Sequence, residues 1–430
     1  MKLVHAADLH LDSPLRGLST RSRATLERVR TATRRAFASL VERCVAERAG
    51  LLLIAGDVYD GDWRDYSTGL FFAHQMARLR DAGVMVVMVR GNHDAASQIT
   101  KNLRLPDNVC ELSAKQAQTL TLDRLGVAIH GQSFANRAVT ENLAHSYPQR
   151  VPGLLNIGLL HTSVTGRSGH EPYAPCSIAD LRNKDYDYWA LGHVHAQEIL
   201  SRAPESWVAF PGNLQGRHAR EPGAKGALIV EYSASGIESV EPCSVDVARY
   251  AHVALDVSGL THYDDLLDRL PRVFEDALSG AEGRVLGLRL ELTGATALHT
   301  RLLASDALLH EAHKFAEDVG GDELWIEKLQ VHTAPEQAAL PTDHGVIAEL
   351  IASIGARRTD RALLDALAIE LSDNLGSRLP PELREGSEGL VVEDAAFVDA
   401  RFDAVLQLLA ARLQGLRELP ELPAKVSGDA

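Results

Sequence analysis

The stretch Val86-Val87-Met88-Val89-Arg90-Gly91-Asn92-His93-Asp94 carries the strongest structural signal in the chain. An apolar, β-branched run of this kind predicts a buried strand. The run stops at a glycine, and three polar side chains follow at once. A strand that ends in this way presents polar groups at the carboxyl edge of a sheet, where open α/β sheets bind their ligands. Taken alone the stretch could be a turn, so its meaning depends on how the other strands end.

Four other predicted strands end in a similar way. The first two along the chain are followed by Asp8-Leu9-His10 and by Gly56-Asp57. Two later buried runs end in His161 and in Gly192-His193-Val194-His195. Because side chains two residues apart on an extended strand point to the same face, the Asp-x-His and His-x-His pairs can each aim into one site. Five such ends together outweigh the chance that each is an ordinary turn.

The order of the predicted elements divides the chain into three regions. Strands alternate with helices through residues 1–245, which is typical of an α/β layer fold. The first of these helices is expected to run unbroken from Arg23 to Ala49. Residues 250–335 show the pattern strand, helix, strand, helix, strand, which predicts a small α/β domain. Beyond a short linker, residues 342–420 are predicted to be helical.

Composition excludes several classes of protein. A chain of 430 residues is too long for one ordinary core, and no apolar run approaches the ~20 residues that span a bilayer. The four cysteines are widely scattered, so neither a disulfide framework nor a cysteine zinc site is expected. A net charge of −14 argues against a general polyanion-binding surface. The N-terminus reads directly into a strand without a signal-peptide pattern, and a cytoplasmic location is therefore expected.

The polar strand ends supply the side chains of a metal site. Carboxylate, imidazole and amide oxygen ligands suit Mn²⁺, Fe²⁺ or Zn²⁺. The seven candidate ligands are Asp8, His10, Asp57, Asn92, His161, His193 and His195. Seven are too many for one ion, and they suit two ions ~3.5–4 Å apart that share a carboxylate, as in in-line phosphoryl displacement. Asp57 stands alone on its strand end and is the natural bridge.

This ordered set of motifs resembles the signature of the calcineurin-like metallophosphoesterases. Within them it is most similar to the SbcD-type DNA repair nucleases, and among these to the YhaO branch. Supporting segments are Ala7-Asp8-Leu9-His10-Leu11-Asp12, Gly56-Asp57-Val58-Tyr59-Asp60 and Pro211-Gly212-Asn213-Leu214-Gln215-Gly216-Arg217-His218. The motifs span residues 8–218, about half of the chain. The resemblance implies a four-layer αββα sandwich, followed by a small α/β capping domain and a helical C-terminal region.

The resemblance also implies a role for each residue. One metal ion would be held by Asp8, His10, Asp57 and His195, and the other by Asp57, Asn92, His161 and His193. His93 would be the general acid or transition-state stabiliser beside the leaving 3′-oxygen, and Asp94 would orient its ring. Some relatives carry a second histidine three residues after the bridging aspartate. Here that position is Asp60, for which two roles stay open: orienting a ligand, or capping the following loop.

Two further segments are candidates for contact with substrate and partner. Arg217, His218 and Arg220 follow the Pro-Gly-Asn turn and are candidates for contact with substrate phosphate. An apolar stripe in the tail is expected either to occupy a partner groove or to pack on the chain itself. Its residues are Val405, Leu406, Leu408, Leu409, Leu413 and Leu416. The resemblance implies an SbcC-like coiled-coil ATPase as the partner, and a homodimer stays open.

These observations favour a two-metal, Mn²⁺-dependent nuclease that hydrolyses DNA phosphodiester bonds, as a 3′→5′ exonuclease with some endonuclease activity. One alternative is a phosphatase or phosphodiesterase that acts on a small molecule or a phosphoprotein. The protein-phosphatase branch would carry Arg-Gly soon after the bridging aspartate and Glu after Asn-His, whereas this chain has Asp60-Gly61-Asp62 and Asp94. The other alternative is a non-catalytic scaffold, which the intact ligand set disfavours.

Overall fold

The structure is a computed structural model, and it describes most of the chain. The described residues are 1–13, 23–60, 66–96, 103–164, 173–304, 306–335 and 346–376, with 398, 399, 401, 402, 405, 406 and 409. They form two compact units. Unit 1 comprises residues 1–253, 274–289 and 316–328, and unit 2 comprises 254–273, 290–315 and 329–430. The division into regions 1–245, 250–335 and 342–420 stays a prediction. No helix among the described residues has both the length and the hydropathy needed to cross a membrane.

Fifteen strands and eleven α-helices are formed by the described residues. The strands are β1 (Lys2–Ala6), β2 (Leu51–Ala55), β3 (Met85–Val89), β4 (Val109–Glu111), β5 (Gln118–Leu122), β6 (Val127–Gly131), β7 (Leu155–His161), β8 (Tyr188–Gly192), β9 (Glu198–Ser201), β10 (Trp207–Phe210), β11 (Gly226–Ser233), β12 (Gly236–Ser244), β13 (Ala248–Asp256), β14 (Val285–Thr296) and β15 (Leu324–Pro335). The helices are α1 (Arg23–Arg30), α2 (Ala32–Ala46), α3 (Tyr66–Asp81), α4 (Asn92–Ala96), α5 (Ile178–Arg182), α6 (Tyr263–Leu267), α7 (Leu270–Gly280), α8 (His299–Ala304), α9 (Ala307–Gly320), α10 (Val346–Gly355) and α11 (Arg361–Leu371).

Two six-stranded sheets face each other in unit 1. The first has the order β12-β11-β1-β2-β3-β4, and the second has the order β5-β6-β7-β8-β10-β9. In the first sheet β1 to β4 run parallel, and in the second β6, β7, β8 and β10 run parallel. Leu53 and Val87 of the first sheet belong to the same buried cluster as Ile157 and Tyr188 of the second. The inner faces of the sheets therefore form one core.

Helices cover the outer faces of the sheets. Because strand side chains alternate between faces, Leu52 and Ile54 point away from that core. They pack with Phe37 of α2 and Phe72 of α3. On the other sheet, outward-facing side chains such as Trp189 pack with α5 and the loops around it. The architecture is a four-layer αββα sandwich, which confirms the fold predicted from the sequence.

The predicted single helix from Arg23 to Ala49 was wrong at one point. Helix α1 ends at Arg30 and α2 begins at Ala32, with Thr31 between them. The Thr31 hydroxyl donates to the carbonyl oxygens of Glu27 and Arg28 at 3.0 and 3.3 Å. Side chains that bond to the backbone of the preceding turn compete with regular helix geometry, which accounts for the break.

Strands β13, β14 and β15 form a separate three-stranded sheet. Farther along the chain, Leu364 and Ala368 of α11 pack with Val398 and Phe402, and Leu406 lies against this cluster. The side chains of Val405 and Leu409 are exposed. Of the predicted apolar stripe, Leu406 therefore packs on the chain itself, whereas Val405 and Leu409 do not. Its other predicted members, Leu408, Leu413 and Leu416, lie outside the described residues.

Candidate metal centre

The polar strand ends adopt an unusual backbone conformation. Asp8, His10, Asp57 and His193 have positive φ angles of 51°, 41°, 55° and 105°. This left-handed region costs a non-glycine residue roughly 1–3 kcal/mol, and such residues cluster at active sites. The turns are held by backbone bonds between neighbouring strand ends: Asp8 N donates to the Gly56 carbonyl and His10 N to the Asp57 carbonyl, both at 3.0 Å.

Two glycines allow the strand ends to approach one another. A Cβ atom at Gly192 would overlap the carbonyl oxygen of Ala55, which belongs to the other sheet. A Cβ atom at Gly91 would overlap the carboxylate of Asp57 and the ring of His161. Only a residue without a side chain fits at these positions.

The first group of candidate ligands gathers around Asp8. His10 Nε2 lies 3.2 Å from His195 Nε2, and His195 Nε2 lies 3.9 Å from Asp8 Oδ1. Asp57 Oδ2 is 4.0 Å from His10 Nε2. One potential ligand atom from each of Asp8, His10 and His195 lies within 4.8 Å of the other two, as a shared metal ion requires.

The second group gathers on the other side of Asp57. His161 Nε2 lies 2.9 Å from Asn92 Oδ1 and 3.5 Å from Asp57 Oδ2. The other ring nitrogen of His161 lies 2.9 Å from the Ala55 carbonyl and donates to it. In the neutral ring Nε2 then carries no proton, so Nε2, the amide oxygen and the carboxylate all present lone pairs to one place. The His193 ring lies beside this group, with its centroid 5.3 Å from that of His161.

Burial disfavours the charged forms of the carboxylates and imidazoles in this centre. It raises the pKa of Asp57 to about 6, and it raises the pKa of Asp8 well above its usual value. Burial lowers the pKa of His161 to about 3, so that imidazole is neutral. The raised pKa values show that burial disfavours the ionised carboxylates, and a bound cation would stabilise that ionised form. The residues present therefore fit divalent metal ions.

His93 is placed differently from the ligands. Its side chain is 29% exposed, whereas that of His161 is fully buried. His93 Nδ1 lies 3.0 Å from Asp60 Oδ1, and the Ser13 hydroxyl donates to the other Asp60 oxygen at 2.8 Å. The hydrogen bond with Asp60 raises the pKa of His93. The histidine is thus held by a carboxylate and open to solvent.

The role expected for Asp94 requires a correction, because Asp60 and not Asp94 contacts the His93 ring. Asp94 accepts hydrogen bonds from the backbone N–H groups of Tyr59 and Gly91, at 3.0 and 3.1 Å. It therefore ties the loop after β2 to the loop after β3. Burial first, and the nearby Asp57 second, raise the pKa of Asp94 to about 7.

The three candidate substrate residues differ in position. The Arg217 guanidinium lies 3.9 Å from Asp60 Oδ2 and 3.5 Å from Glu221 Oε1, with 17% of its side chain exposed. His218 Nε2 lies 3.7 Å from the same Glu221 oxygen. Arg220 is exposed. Arg217 is thus beside both the metal centre and the His93–Asp60 pair.

Glu221 is a residue that the sequence reasoning missed. Its Oε1 lies 2.6 Å from His195 Nδ1. Burial alone would raise the pKa of Glu221, but the hydrogen bond from His195 and the charge of Arg217 hold it below its usual value. A signal was available, since a metal-bound histidine needs an acceptor for its second ring nitrogen. Glu221 is the only acidic residue between Pro211 and Pro222.

Comparison with known proteins identifies the family. Residues 1–197 match the calcineurin-like phosphoesterase family and residues 250–334 match the middle domain of metallophosphoesterase YhaO. The chain is 31% identical over 342 residues to metallophosphoesterase YhaO of Bacillus subtilis (strain 168), a match covering 78% of this chain and 83% of that protein. It is 23% identical over 433 residues to the DNA double-strand break repair protein Mre11 of Methanopyrus kandleri, covering 91% and 86% of the two chains.

A shorter match reaches a component of the nuclease SbcCD of Rhodobacter capsulatus, 34% identical over 102 residues and 23% of each chain. The resemblance read from the motifs is confirmed. The αββα sandwich carries the ligand groups at its strand ends, and a relative above 30% identity spans more than three quarters of the sequence. The chain therefore belongs to the calcineurin-like metallophosphoesterases and, within them, to the family of metallophosphoesterase YhaO.

Proposed function

We propose that this metallophosphoesterase is a DNA nuclease of the cytoplasm that hydrolyses phosphodiester bonds, as a 3′→5′ exonuclease with endonuclease activity. The observation that carries the proposal is the pairing of a buried ligand cluster with a half-exposed histidine that a carboxylate holds in place. The relatives named as DNA repair protein and nuclease support DNA as the substrate.

Two divalent ions, Mn²⁺ by our proposal, would be held by the seven strand-end ligands. The first ion would take Asp8, His10, Asp57 and His195, and the second Asp57, Asn92, His161 and His193. Bound divalent ions would polarise a phosphoryl oxygen as Lewis acids and lower the pKa of coordinated water. A mixed set of carboxylate, amide and imidazole ligands, without cysteine, is compatible with Mn²⁺.

His93 is the residue proposed to manage the proton of the leaving group. A departing 3′-alkoxide is a strong base, so its release is faster when an acid protonates it. Because Asp60 stabilises the protonated ring of His93, the imidazolium form is available at the opening of the centre. Asp60 also fixes the direction of the ring, since its carboxylate contacts Nδ1 and leaves Nε2 as the nitrogen that can reach substrate.

Arg217 is the residue proposed to contact substrate phosphate. Its guanidinium is partly exposed and is held between two carboxylates, those of Asp60 and Glu221. A guanidinium in a fixed position can bind phosphate oxygens through two hydrogen bonds. Contacts of this kind position a DNA strand without reading its sequence.

The test is digestion of end-labelled duplex, hairpin and single-stranded DNA with Mn²⁺, alongside para-nitrophenyl phosphate esters. The wild-type protein should shorten DNA from its 3′ ends. His93→Gln should lower the rate of DNA cleavage by roughly 10²–10⁴-fold, the usual contribution of a general acid. It should lower ester hydrolysis much less, because nitrophenolate is a weak base that leaves without a proton. His74→Gln, a change at an exposed histidine of α3, is the matched control.

The outcomes separate the competing functions. Hydrolysis of esters but of no DNA would contradict the nuclease and favour a small-molecule or phosphoprotein phosphatase. Equal losses on DNA and on nitrophenyl esters would remove His93 from leaving-group protonation. Absence of all hydrolysis with retained binding of a partner would favour the scaffold.

We further propose that the C-terminal helices bind an SbcC-like coiled-coil ATPase. Apolar side chains of α10, α11 and the tail are exposed in unit 2, among them Leu350, Ile369 and Val405. Apolar surfaces of this kind are typical of helix-in-groove recognition. Co-purification with a coiled-coil ATPase that is lost in an Ile369→Asp, Val405→Asp variant would support this assignment, and unchanged co-purification would contradict it.

A further inference from the structure

Glu221 contacts the metal centre without belonging to the ligand set. The residue is 7% exposed, and its carboxylate divides its contacts between its two oxygens. Oε1 lies 2.6 Å from His195 Nδ1. Oε2 accepts from the Asn213 side-chain amide at 2.9 Å and from the Arg217 backbone N–H at 2.7 Å. The residue joins the ring of His195 to the loop that follows β10.

These contacts require two acceptor oxygens at position 221. The partners of Oε2 are N–H donors, so that oxygen is already committed as an acceptor. In the ionised carboxylate Oε1 is an acceptor as well, and at 2.6 Å it lies closer to His195 Nδ1 than Arg217 Nη2 does at 3.3 Å, so the proton on the His195 ring is drawn to Nδ1. Nε2 is then left with its lone pair, and this is the nitrogen that faces Asp8 and His10. A glutamine would offer one oxygen for both sets of donors.

A second side chain holds the backbone of His195. The Lys225 ammonium, also buried, donates to the His195 carbonyl at 2.9 Å. The Asn213 backbone N–H reaches the same carbonyl at 3.4 Å. His195 is therefore fixed at its ring and at its main chain by one segment, residues 213–225. Its side chain has little freedom to rotate away from the centre.

We infer that Glu221 and Lys225 are positioning residues that preset the tautomer and the place of His195, and so determine the affinity of the ion that His195 would hold. The inference rests on the metal centre of the proposed function. Partners that orient a metal-bound histidine commonly contribute about 10–100-fold to metal affinity. The other ion does not use His195, so its affinity should not change.

The experiment measures metal binding and ring protonation, and needs no substrate. Mn²⁺ is titrated into the full-length, metal-free protein, and free Mn²⁺ is followed by electron paramagnetic resonance. Glu221→Gln should weaken one of two sites by about 10–100-fold and spare the other. In ¹⁵N-histidine spectra of the metal-free protein, the His195 proton should move from Nδ1 to Nε2. Glu205→Gln, at an exposed glutamate paired with Arg182, is the matched control and should change neither.

Lys225→Met provides a second test if Glu221→Gln perturbs the fold. It keeps an unbranched side chain, one atom shorter, and removes the ammonium that donates to the His195 carbonyl, so it should weaken the same site and leave the proton on Nδ1. Wild-type affinity at both sites in both variants would overturn the inference and leave the nuclease proposal standing. A wild-type protein that binds no Mn²⁺ would overturn both.

Discussion

Asp60 is the residue on which the role proposed for His93 depends most directly. Its carboxylate contacts the His93 ring, is fixed by Ser13, and lies near Arg217. The hydrogen bond with His93 lowers the pKa of Asp60 to about 2, so the carboxylate is ionised throughout the physiological range. Asp60 is thus a fixed anion beside the partly exposed imidazole of His93.

Replacing Asp60 by asparagine should therefore slow turnover more than it weakens substrate binding. We expect kcat on DNA to fall by roughly 100-fold, at the lower end of what general acid catalysis contributes, with KM changed little. Steady-state cleavage of labelled duplex with Mn²⁺ measures both constants. Asp81→Asn, at an exposed aspartate paired with Arg80, is the control. A large rise in KM with kcat unchanged would show that Asp60 serves binding instead.

His5 links the stability of the sandwich to pH. It is buried between the Tyr188 hydroxyl, 2.9 Å from Nδ1, and the Leu191 carbonyl, 3.1 Å from Nε2. Burial lowers its pKa from 6.5 to about 3. Between pH 6.5 and about pH 3, His5 is protonated in the unfolded chain and neutral in the folded chain. The contribution of His5 to stability is therefore unaffected above pH 6.5 and becomes increasingly unfavourable as pH falls towards 3.

We expect this histidine to reduce the free energy of unfolding by about 1.4 kcal/mol for each pH unit below 6.5. Urea unfolding at pH 7.0 and pH 5.5, in wild type and in His5→Gln, measures the effect. The variant should be less stable at pH 7.0 but should lose less on acidification. In His74→Gln the free energy of unfolding should change with pH as it does in wild type. Parallel pH dependence in wild type and His5→Gln would refute the assignment.

At the scale of elements, apolar runs made the strands predictable, and the run Val86–Val89 lies within β3. The seven candidate ligands could also be chosen from sequence, because each lies at or just after the end of such a run. The partners of those side chains could not. Asp60 reaches His93, and Glu221 reaches His195, only because loops from separate strands meet. The break at Thr31 was likewise missed, since apolar spacing continues through it.

Gly192, at the end of β8, should tolerate no side chain. The overlap of an added Cβ involves the backbone oxygen of Ala55, which cannot rotate away. The strand ends would have to separate, and we expect Gly192→Ala to lower the free energy of unfolding by roughly 1–3 kcal/mol, as overpacking does. Thermal melting measures it. Gly280→Ala, at the end of α7 with no atom within 4 Å of the added Cβ, should be neutral or slightly stabilising. Equal melting temperatures for wild type and Gly192→Ala would contradict this packing.

At the scale of the whole molecule, metal binding and folding should be coupled. The buried carboxylates of the centre repel one another in the metal-free protein and are neutralised when ions bind. With free Mn²⁺ at 100 times the dissociation constant, the folded state should gain about 2.7 kcal/mol for each ion bound. Thermal melting in Mn²⁺ and in EDTA measures this gain as a higher Tm. A combined Asp57→Asn, His161→Gln variant should melt at one temperature in both buffers, and an equal Mn²⁺ shift in that variant would place the ions elsewhere.

The left-handed backbone at Asp8, His10, Asp57 and His193 has a consequence for how sequences of this fold are interpreted. A sequence chosen only to suit this backbone would carry glycine or asparagine at those positions. Aspartate and histidine adopt this conformation less readily than glycine, but unlike glycine they can bind a cation through their side chains. At these four positions the ability to bind a cation therefore outweighs the preferred backbone conformation. In a fold of this kind, a design procedure that chose every residue for its backbone preference alone would remove the candidate ligands.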